Sequence, residues 1–321
     1  MREEGLGRYV LRRLLFVIPL LVIISLGVFA LVQLAPGSPE RILLGGRPAT
    51  PETLASIRQK FNLDEPFLVQ YWLWLRGVVS GDLGRSIQSN QLVTDAILQR
   101  IGLSLYLGIY STVLAVGLGI PLGMWAALQR GKKTDRAVVG FSIFGVSAPV
   151  FATGLLFLYV FGVVLDLFPT FGAGEGLLDR GWHLTLPAVA LGLSLMALIV
   201  KITRASMIDE LEQDYVAFAR ARGLSRSRIM RYYVLRNALI PVITAAGIIV
   251  VGIVGGAVLI EVTFGLQGMG ALLVDAVGAR DMPLIQGVVL VIAVSVVVIN
   301  LVLDVLYTLI DPRVRFEQVQ G

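Results

Sequence analysis

Long runs of apolar residues, separated by shorter polar segments, dominate the pattern along the chain. The hydrocarbon layer of a membrane requires about 20 consecutive, mostly apolar residues for each spanning helix. Because no water is available there to satisfy the peptide groups, such segments must be helical. The pattern predicts an all-α, polytopic membrane protein with six transmembrane helices, at Leu14–Leu34, Leu103–Leu128, Ala137–Leu165, Leu184–Val200, Ala238–Ile260 and Leu284–Ile310.

Composition supports a membrane location. Hydrophobic residues make up 56% of the 321 residues, charged residues make up 15%, and the mean hydropathy is +0.81. A typical soluble domain has about 25% charged residues. The first apolar run is longer than that of a signal peptide and no small-residue cleavage site follows it, so we expect a retained first span. The absence of cysteine excludes disulfides and thiolate metal sites, and we expect no metal site.

Basic residues are distributed unevenly between the predicted loops. If the amino terminus is inside, the inner segments contain 18 of the 27 lysine and arginine residues. The two short outer loops then contain one each, Arg180 and Arg280. Because short cytosolic loops carry an excess of lysine and arginine, we expect both termini in the cytosol.

One long polar segment lies outside, between the first two predicted spans. It contains a helix-start pattern at Thr50 and a cluster of Tyr71, Trp72 and Trp74. Aromatic side chains favour the headgroup region, so this external lobe is either a cap resting on the membrane or a docking site for an external partner. The predicted regions are the amino terminus with the first span (1–34), the external lobe (35–102), the other five spans (103–310) with a cytosolic loop at 205–237, and a cytosolic tail (311–321).

An arginine-rich stretch separates the fourth and fifth predicted spans. Acidic residues precede the basic ones, as the helix dipole favours, and Tyr215, Phe218, Ala219 and Arg222 recur at the spacing of one helix face. We expect Gly223 to end this helix, and a second short helix to follow with Ser225 as its cap. The six arginines are Arg220, Arg222, Arg226, Arg228, Arg231 and Arg236.

Three interpretations of this basic element are open. Anionic lipid attracts arginines, each by about 1 kcal/mol near the membrane surface. Docking to another protein would account in addition for the tight bend and for the small residues Ala217, Ala219 and Ala221, which allow close backbone approach. A nucleic-acid interface is disfavoured, because no base-reading aromatic residues are interleaved with the arginines.

Glycines and ionisable residues indicate where helices pack or where a pathway runs. Asp304 is the clear ionisable residue inside a span, near its inner boundary, where a charge costs less than the roughly 3 kcal/mol of the midplane. We expect a structural pairing with Lys201 or a neighbouring arginine and favour it over a proton relay. Glycines of the second and fifth spans suit close helix crossings or gating, and Pro121, Pro149 and Pro241 are expected kink points. These glycines are Gly117, Gly119, Gly123, Gly247, Gly252, Gly255 and Gly256; the last three, with Glu261, Asp275, Arg280 and Asp281, are the candidate pathway or gate residues.

The stretch "DYVAFARARGLSRSRIMRYYVLRNALIPVIT" closely resembles the cytoplasmic EAA loop of binding-protein-dependent ABC importer permeases. The resemblance continues through "LVQLAPGSP", "PFLVQYWLWLRGVVSGDLGRSI", "TRASMIDEL", "GGAVLIEVTFGLQGMGALLVDAVGARDMPLIQG" and "DVLYTLIDPRVR". It is most similar to the first of the two permeases in the dipeptide/oligopeptide branch. One departure is that Ala217-Phe218-Ala219 replaces the Glu-Ala-Ala of the broad family pattern.

The resemblance implies a type I ABC importer permease fold and a transport subunit in a larger machine. The loop would be a coupling helix seated on an ATPase subunit, with Arg220 and Arg222 facing acidic groups there and Gly223 setting the bend. ATP and Mg would be bound by two partner nucleotide-binding domains, since this chain has no G-x-x-x-x-G-K-[ST] sequence. A second homologous permease, an external substrate-binding protein and lipid of the bacterial inner membrane would be the other partners, with no nucleic acid. The coupling residues implied are Tyr215, Ala217, Phe218, Ala219, Arg220, Ala221, Arg222, Gly223 and Leu224.

Two other classes of protein are disfavoured. An ion-coupled secondary transporter usually has internal repeats and buried midplane charges, and neither is evident here. An intramembrane hydrolase is unsupported, because the one histidine, His183, lies in a predicted outer loop. The resemblance implies di- or oligopeptide cargo, while haem or a nickel chelate is the alternative on the same machinery.

Overall fold

The computed structural model describes residues 3–34, 38, 40–41, 48, 50–60 and 62–310, and it is predominantly helical. Within these residues there is no strand, and one isolated antiparallel bridge joins Arg85 to Leu92. The all-α prediction is confirmed. The α-helices and π-helices are α1 (Glu3–Leu34), α2 (Pro51–Lys60), α3 (Phe67–Val79), α4 (Val93–Leu128), α5 (Lys133–Ser147), α6 (Val150–Phe157), π1 (Leu158–Val164), α7 (Gly176–Leu211), α8 (Asp214–Ala221), α9 (Arg226–Ile229), π2 (Met230–Val234), α10 (Leu235–Thr263), α11 (Met269–Gly278) and α12 (Met282–Ile310).

Several of these helices are long and apolar enough to cross a membrane. Among the described residues, α4, α7 and the Met282–Leu303 part of α12 are continuous candidates. Two more candidates are bent pairs: α5 with α6–π1, and Arg226–Gly247 with Val250–Thr263, whose 46° bend lies within α10. The first predicted span is a shorter apolar stretch, Leu15–Leu31, within α1. A multi-pass membrane fold follows, and the count of six spans stays a prediction.

The helices extend beyond the apolar segments from which they were predicted. The second begins at Val93, ten residues before the predicted Leu103, and the fourth runs from Gly176 to Leu211 instead of from Leu184 to Val200. A helix satisfies its own backbone hydrogen bonds in water as well as in lipid. A change in side-chain polarity therefore marks the membrane boundary but does not end the helix.

Proline bends the chain within one predicted span, whereas the helices of two other predicted spans continue through their prolines. At Ala148-Pro149 the chain bends by 111° between α5 and α6–π1, which confirms the predicted kink point. Proline lacks a donor N–H and forces the preceding residue into an extended conformation, as Ala148 shows with φ −74° and ψ 127°. Helices α4 and α10 instead continue through Pro121 and Pro241, and the kinks expected there stay predictions.

The chain divides into two compact units: residues 1–104 with 267–301, and residues 105–266 with 302–321. The first unit has its own apolar core, formed where the start of α4 meets α11 and the start of α12. The buried core residues are Val93, Ala96, Ile97, Met269, Leu272, Ala276, Leu284 and Val288.

The aromatic cluster of the predicted external lobe packs on α1, within this first unit. Tyr71 is buried, and its hydroxyl lies 2.8 Å from Ser25 Oγ. The Phe29 ring centroid lies 5.7 Å from that of Tyr71 and 5.5 Å from that of Trp74. Trp72 is 64% exposed on the other side of α3. Helix α3 is therefore held by α1 through one aromatic face.

The second unit is organised around α7. Of the apolar window of α7, 72% of the residues are buried, which places this helix at the centre of the unit. Close approach of α4 to α7 depends on small residues: a Cβ built at Gly123 would lie 2.6 Å from Thr203 Cβ and 2.7 Å from the Val200 carbonyl oxygen. Gly117, on the same helix, has no atom within 4 Å of the corresponding position.

Gly123→Ala is expected to destabilise the second unit, because the added methyl meets backbone that cannot move without shifting a helix. Overpacking of this kind costs about 1–3 kcal/mol. The matched Gly117→Ala variant should be neutral or slightly stabilising, since alanine is the better helix former by about 1 kcal/mol. Thermal unfolding of the purified chain in detergent measures both. Equal melting temperatures for the two variants would contradict the close packing of α4 on α7.

Candidate functional site

Helix α8 is fixed to the second unit by its buried face. Val216 is fully buried and Ala219 is 6% exposed. They join an apolar cluster that also contains Met207 of α7 and Val234 of π2. Ala127, Ile229 and Ala238 complete the cluster. The ends of α4, α7 and α10 thus form one seat for α8.

The turn after α8 has the geometry predicted from Gly223. Gly223 has φ +72°, a conformation that glycine adopts without strain. Its N–H donates to the Arg220 carbonyl at 2.9 Å, and the Leu224 N–H donates to the Ala219 carbonyl at 3.2 Å. This pair of bonds is the Schellman motif that ends helices. The predicted role of Gly223 is therefore confirmed.

The segment after the turn differs from the predicted second short helix. Ser225 occupies the N-cap position of α9, and its backbone carbonyl accepts the Ile229 N–H at 3.0 Å, but its side chain makes no capping hydrogen bond. Helix α9 then continues through π2 into α10 without a break. No glycine or proline lies between Arg226 and Ile240, so nothing in the sequence interrupts the helix. The prediction of a separate second helix is wrong.

The outward face of α8 is apolar and basic. Phe218 is 71% exposed, and Ala217, Arg220, Ala221 and Arg222 are exposed beside it. The sequence placed Phe218 on one face with Tyr215 and Ala219 and did not specify which side is buried. The buried side of this eight-residue helix is centred on Val216 and Ala219, and Phe218 points away from it.

Ion pairs attach the connection between α4 and α5 to α7. Asp135 is 3% exposed and accepts hydrogen bonds from Arg204 Nε at 2.5 Å, from Arg204 Nη2 at 2.9 Å and from the Gly131 N–H at 2.9 Å. Arg130 pairs with Glu212, the residue that follows α7. Sequence analysis missed both pairs. Asp135 in the first turn of a helix is a visible signal, but its partner lies 69 positions away.

The candidate pathway residues of the second unit have different environments. Gly252 and Gly255 are exposed on α10, and no atom lies within 4 Å of a Cβ built at either. A Cβ at Gly256 would lie 2.9 Å from Leu191 Cδ1 of α7. Glu261 is fully buried near the end of α10. A pathway role for these residues stays a prediction.

The candidate pathway residues of the first unit surround the start of α12. Asp281 is 1% exposed, and its carboxylate accepts hydrogen bonds from Ser86 Oγ at 2.6 Å and from the Gln88 N–H at 3.2 Å. Arg280 is exposed. Asp275 is exposed and lies 4.0 Å from Arg100. Asp281 therefore ties the polar segment before α4 to the start of α12.

The predicted pair of Asp304 and Lys201 cannot be placed, because the Asp304 side chain lies outside the described residues. Lys201 is exposed on α7 and lines a cleft of about 420 Å³ between α5 and α7. Among the described residues, no group of histidine and acidic side chains could hold a metal ion.

Two family patterns match almost the whole chain. Residues 119–316 match the "Binding-protein-dependent transport system inner membrane component", and residues 6–108 match the N-terminal region of the same kind of membrane component. The chain belongs to this family. It is an importer permease, a transport subunit without an ATP site of its own.

Known relatives agree with this assignment. The chain is 40% identical over 309 residues to the "Glutathione transport system permease protein GsiC" of Escherichia coli (strain K12), with 96% of this chain and 99% of that protein covered. The Salmonella typhi protein of the same name has the same identity and coverage. An inward-facing structure of the MetNI methionine ABC transporter superposes with a TM-score of 0.56 at 17% identity, covering 67% of this chain and 96% of that one. The structural likeness supports the type I importer permease fold.

Replacing Gly223 should weaken the turn that follows α8. Gly223→Ala places a Cβ in the left-handed region, at a cost of about 1–2 kcal/mol, and it should lower the thermal stability of the purified chain. Gly223→Asn is the matched control, because asparagine is the side chain that best tolerates this conformation. We expect the asparagine variant to lie between wild type and alanine. Equal stability of all three would show that the turn conformation does not limit stability.

Proposed function

We propose that this chain forms half of a translocation pathway in the bacterial inner membrane and that α8 couples it to ATPase subunits. A second, homologous permease completes the pathway, because the spans of one chain enclose little by themselves. An external substrate-binding protein delivers the cargo. The proposed arrangement has both termini and α8 in the cytosol, as the distribution of basic residues favours.

The outward face of α8 is the observation that carries this proposal. An exposed aromatic ring between small residues and two guanidinium groups suits a protein groove with acidic walls, since aromatic and arginine side chains provide most of the affinity in protein interfaces. The opposite face is buried among the ends of α4, α7 and α10. A force applied to α8 would therefore reach these helices directly.

ATP and Mg would be bound by the partner ATPases, with one nucleotide-binding domain beneath each permease. Closure of the two domains on ATP would pull on α8 and tilt the helices to which it is fixed. Family membership favours this docking role over simple lipid anchoring, and it leaves the ion-coupled secondary transporter without support.

Peptides are the proposed cargo. The names of the relatives reported above include glutathione, which is a short peptide-like solute. The 40% identity extends over nearly the whole chain, so a di- or oligopeptide substrate of similar size is the best-supported class. Haem and nickel chelates are the alternative cargo for machinery of this design.

Charge reversal on α8 tests the docking role. The double variant Arg220→Glu/Arg222→Glu should weaken retention of the ATPase on the purified permease at least tenfold, because about 1.4 kcal/mol already corresponds to a factor of ten and like charges facing each other cost more. Lys132→Glu/Lys133→Glu is the control, with the same change in charge at exposed residues at the start of α5, on the same predicted side. Undiminished co-purification of the α8 variant, or equal loss in the control, would contradict the proposed interface.

Reconstituted transport tests the energy source and the cargo separately. The complex in proteoliposomes, with the binding protein outside and ATP inside, should accumulate glutathione or a dipeptide only when ATP is present. Uptake driven by an ion gradient without ATP would overturn the mechanism. ATP-dependent uptake of a nickel chelate or haem, with no peptide uptake, would overturn only the cargo.

A further inference from the structure

Tyr215, on the inner side of α8, lies in a polar cluster that connects α8 to the end of α7 and to the start of α10. Its hydroxyl donates a hydrogen bond to the Glu210 carboxylate in the last turn of α7. The same oxygen accepts a hydrogen bond from Asn237 Nδ2, in the first turn of α10, at 3.0 Å. The Tyr215 ring also stacks on that of Tyr233 in π2, with centroids 6.4 Å apart and planes inclined at 29°.

The hydroxyl group of tyrosine has the donor and acceptor capacity that this position requires. One O–H donates and the oxygen lone pairs accept, so a single atom connects the end of α7 to the start of α10. Phenylalanine would preserve the ring stacking and would remove both hydrogen bonds. Tyr215 is only half-buried, and Glu210 and Asn237 are half-buried as well.

This polar cluster differs in kind from the apolar seat of α8. Contacts of Val216 and Ala219 are non-directional, so burial alone specifies the orientation of α8 less strictly than hydrogen bonds do. Hydrogen bonds are directional and weaken steeply as their angles change. The cluster of Tyr215, Glu210 and Asn237 therefore fixes the orientation of α8 relative to α7 and α10.

The irregular turn π2 lies directly before α10 and beside Tyr215. Single π-turns within α-helices are rare, and they occur often at functional sites. Tyr233 lies within π2, and its carbonyl oxygen is 3.5 Å from the Tyr215 hydroxyl. A movement of Tyr215 would therefore act next to π2, the irregular turn from which the long apolar helix α10 begins.

We infer that Tyr215 is a positioning residue that transmits movement of α8 to α7 and α10, and that it is not a docking contact for the ATPase. This inference rests on the proposed function, because it assumes that α8 is the part on which the ATPase acts. It assigns separate tasks to two faces of one short helix: Phe218, Arg220 and Arg222 bind the ATPase, and Tyr215 orients the helix within the permease.

The test is Tyr215→Phe in the complete complex of both permeases, the ATPases and the binding protein, reconstituted in proteoliposomes. Three quantities are measured: ATPase retained on the permease, ATP hydrolysed in the presence of loaded binding protein, and cargo transported per ATP. We expect unchanged retention and continued hydrolysis, with cargo per ATP reduced about tenfold, the change that one hydrogen bond to a charged group carries.

Tyr232→Phe is the matched control. It makes the same chemical change in the neighbouring π2, but Tyr232 is 65% exposed. Its cargo per ATP should equal that of wild type. A loss as large as that of Tyr215→Phe would overturn the inference, because any tyrosine hydroxyl of this region would then have the same effect.

Asn237→Ala provides a second route to the same contact if Tyr215→Phe fails to assemble. It removes only the α10 side of the cluster and should also lower cargo per ATP. If the cluster acts as a unit, the double variant Tyr215→Phe/Asn237→Ala should be no worse than Tyr215→Phe alone.

The outcomes separate this inference from the proposed function. Unchanged cargo per ATP in both single variants would overturn the inference and leave α8 as the docking element. Loss of ATPase retention in Tyr215→Phe would also overturn it, since Tyr215 would then be a docking contact. Wild-type transport without ATP would overturn the proposed function itself, whatever the variants do.

Discussion

The burial of Val216 and Ala219 is the contact on which the proposed mechanism depends. These two side chains are the only fully or nearly fully buried residues of α8, and they place it against the ends of three long helices. Without that seat, the exposed ring of Phe218 and the arginines beside it would belong to a loop that could move independently of the spans. With it, a partner that binds α8 and moves it would also move the ends of α4, α7 and α10.

Membrane chemistry sets the conditions under which this seat can form. Lipid provides little hydrophobic driving force between helices, so close packing and small residues hold a membrane bundle together. Gly123 on α4 and the dense surroundings of α7 reflect this requirement. The seat of α8 lies at the end of the same helices, where polar residues such as Asp135 and Arg204 can add directional contacts that would be costly deeper in the membrane.

Local signals in the sequence were sufficient for some features and insufficient for others. Gly223 could be assigned because a left-handed residue at a helix end is a local requirement, and Pro149 because its ring restricts its own neighbour. The extension of α4 to Val93 and the continuity of α9 with α10 were missed, because helix ends depend on caps and tertiary contacts. The exposure of Phe218 could not be predicted, because periodicity defines relative faces, but only packing decides which face is buried. The pairing of Asp135 with Arg204 depends on how distant segments meet.

A short helix that must both bind an ATPase and move the helices of the permease has two different structural requirements. Affinity for the partner improves with exposed aromatic and basic side chains, whereas transmission requires buried, directional contacts inside the permease. In the proposed mechanism, helix α8 assigns these tasks to different faces: Phe218 is exposed, Val216 is buried, and Tyr215 lies at the edge between them with its hydroxyl turned toward Glu210 and Asn237. In the same mechanism, the outer face could change to suit a different ATPase without altering the inner contacts. At the positions of the family's Glu-Ala-Ala pattern, the exposed Ala217 and Phe218 depart from it, whereas Ala219 keeps the alanine and is buried in the seat.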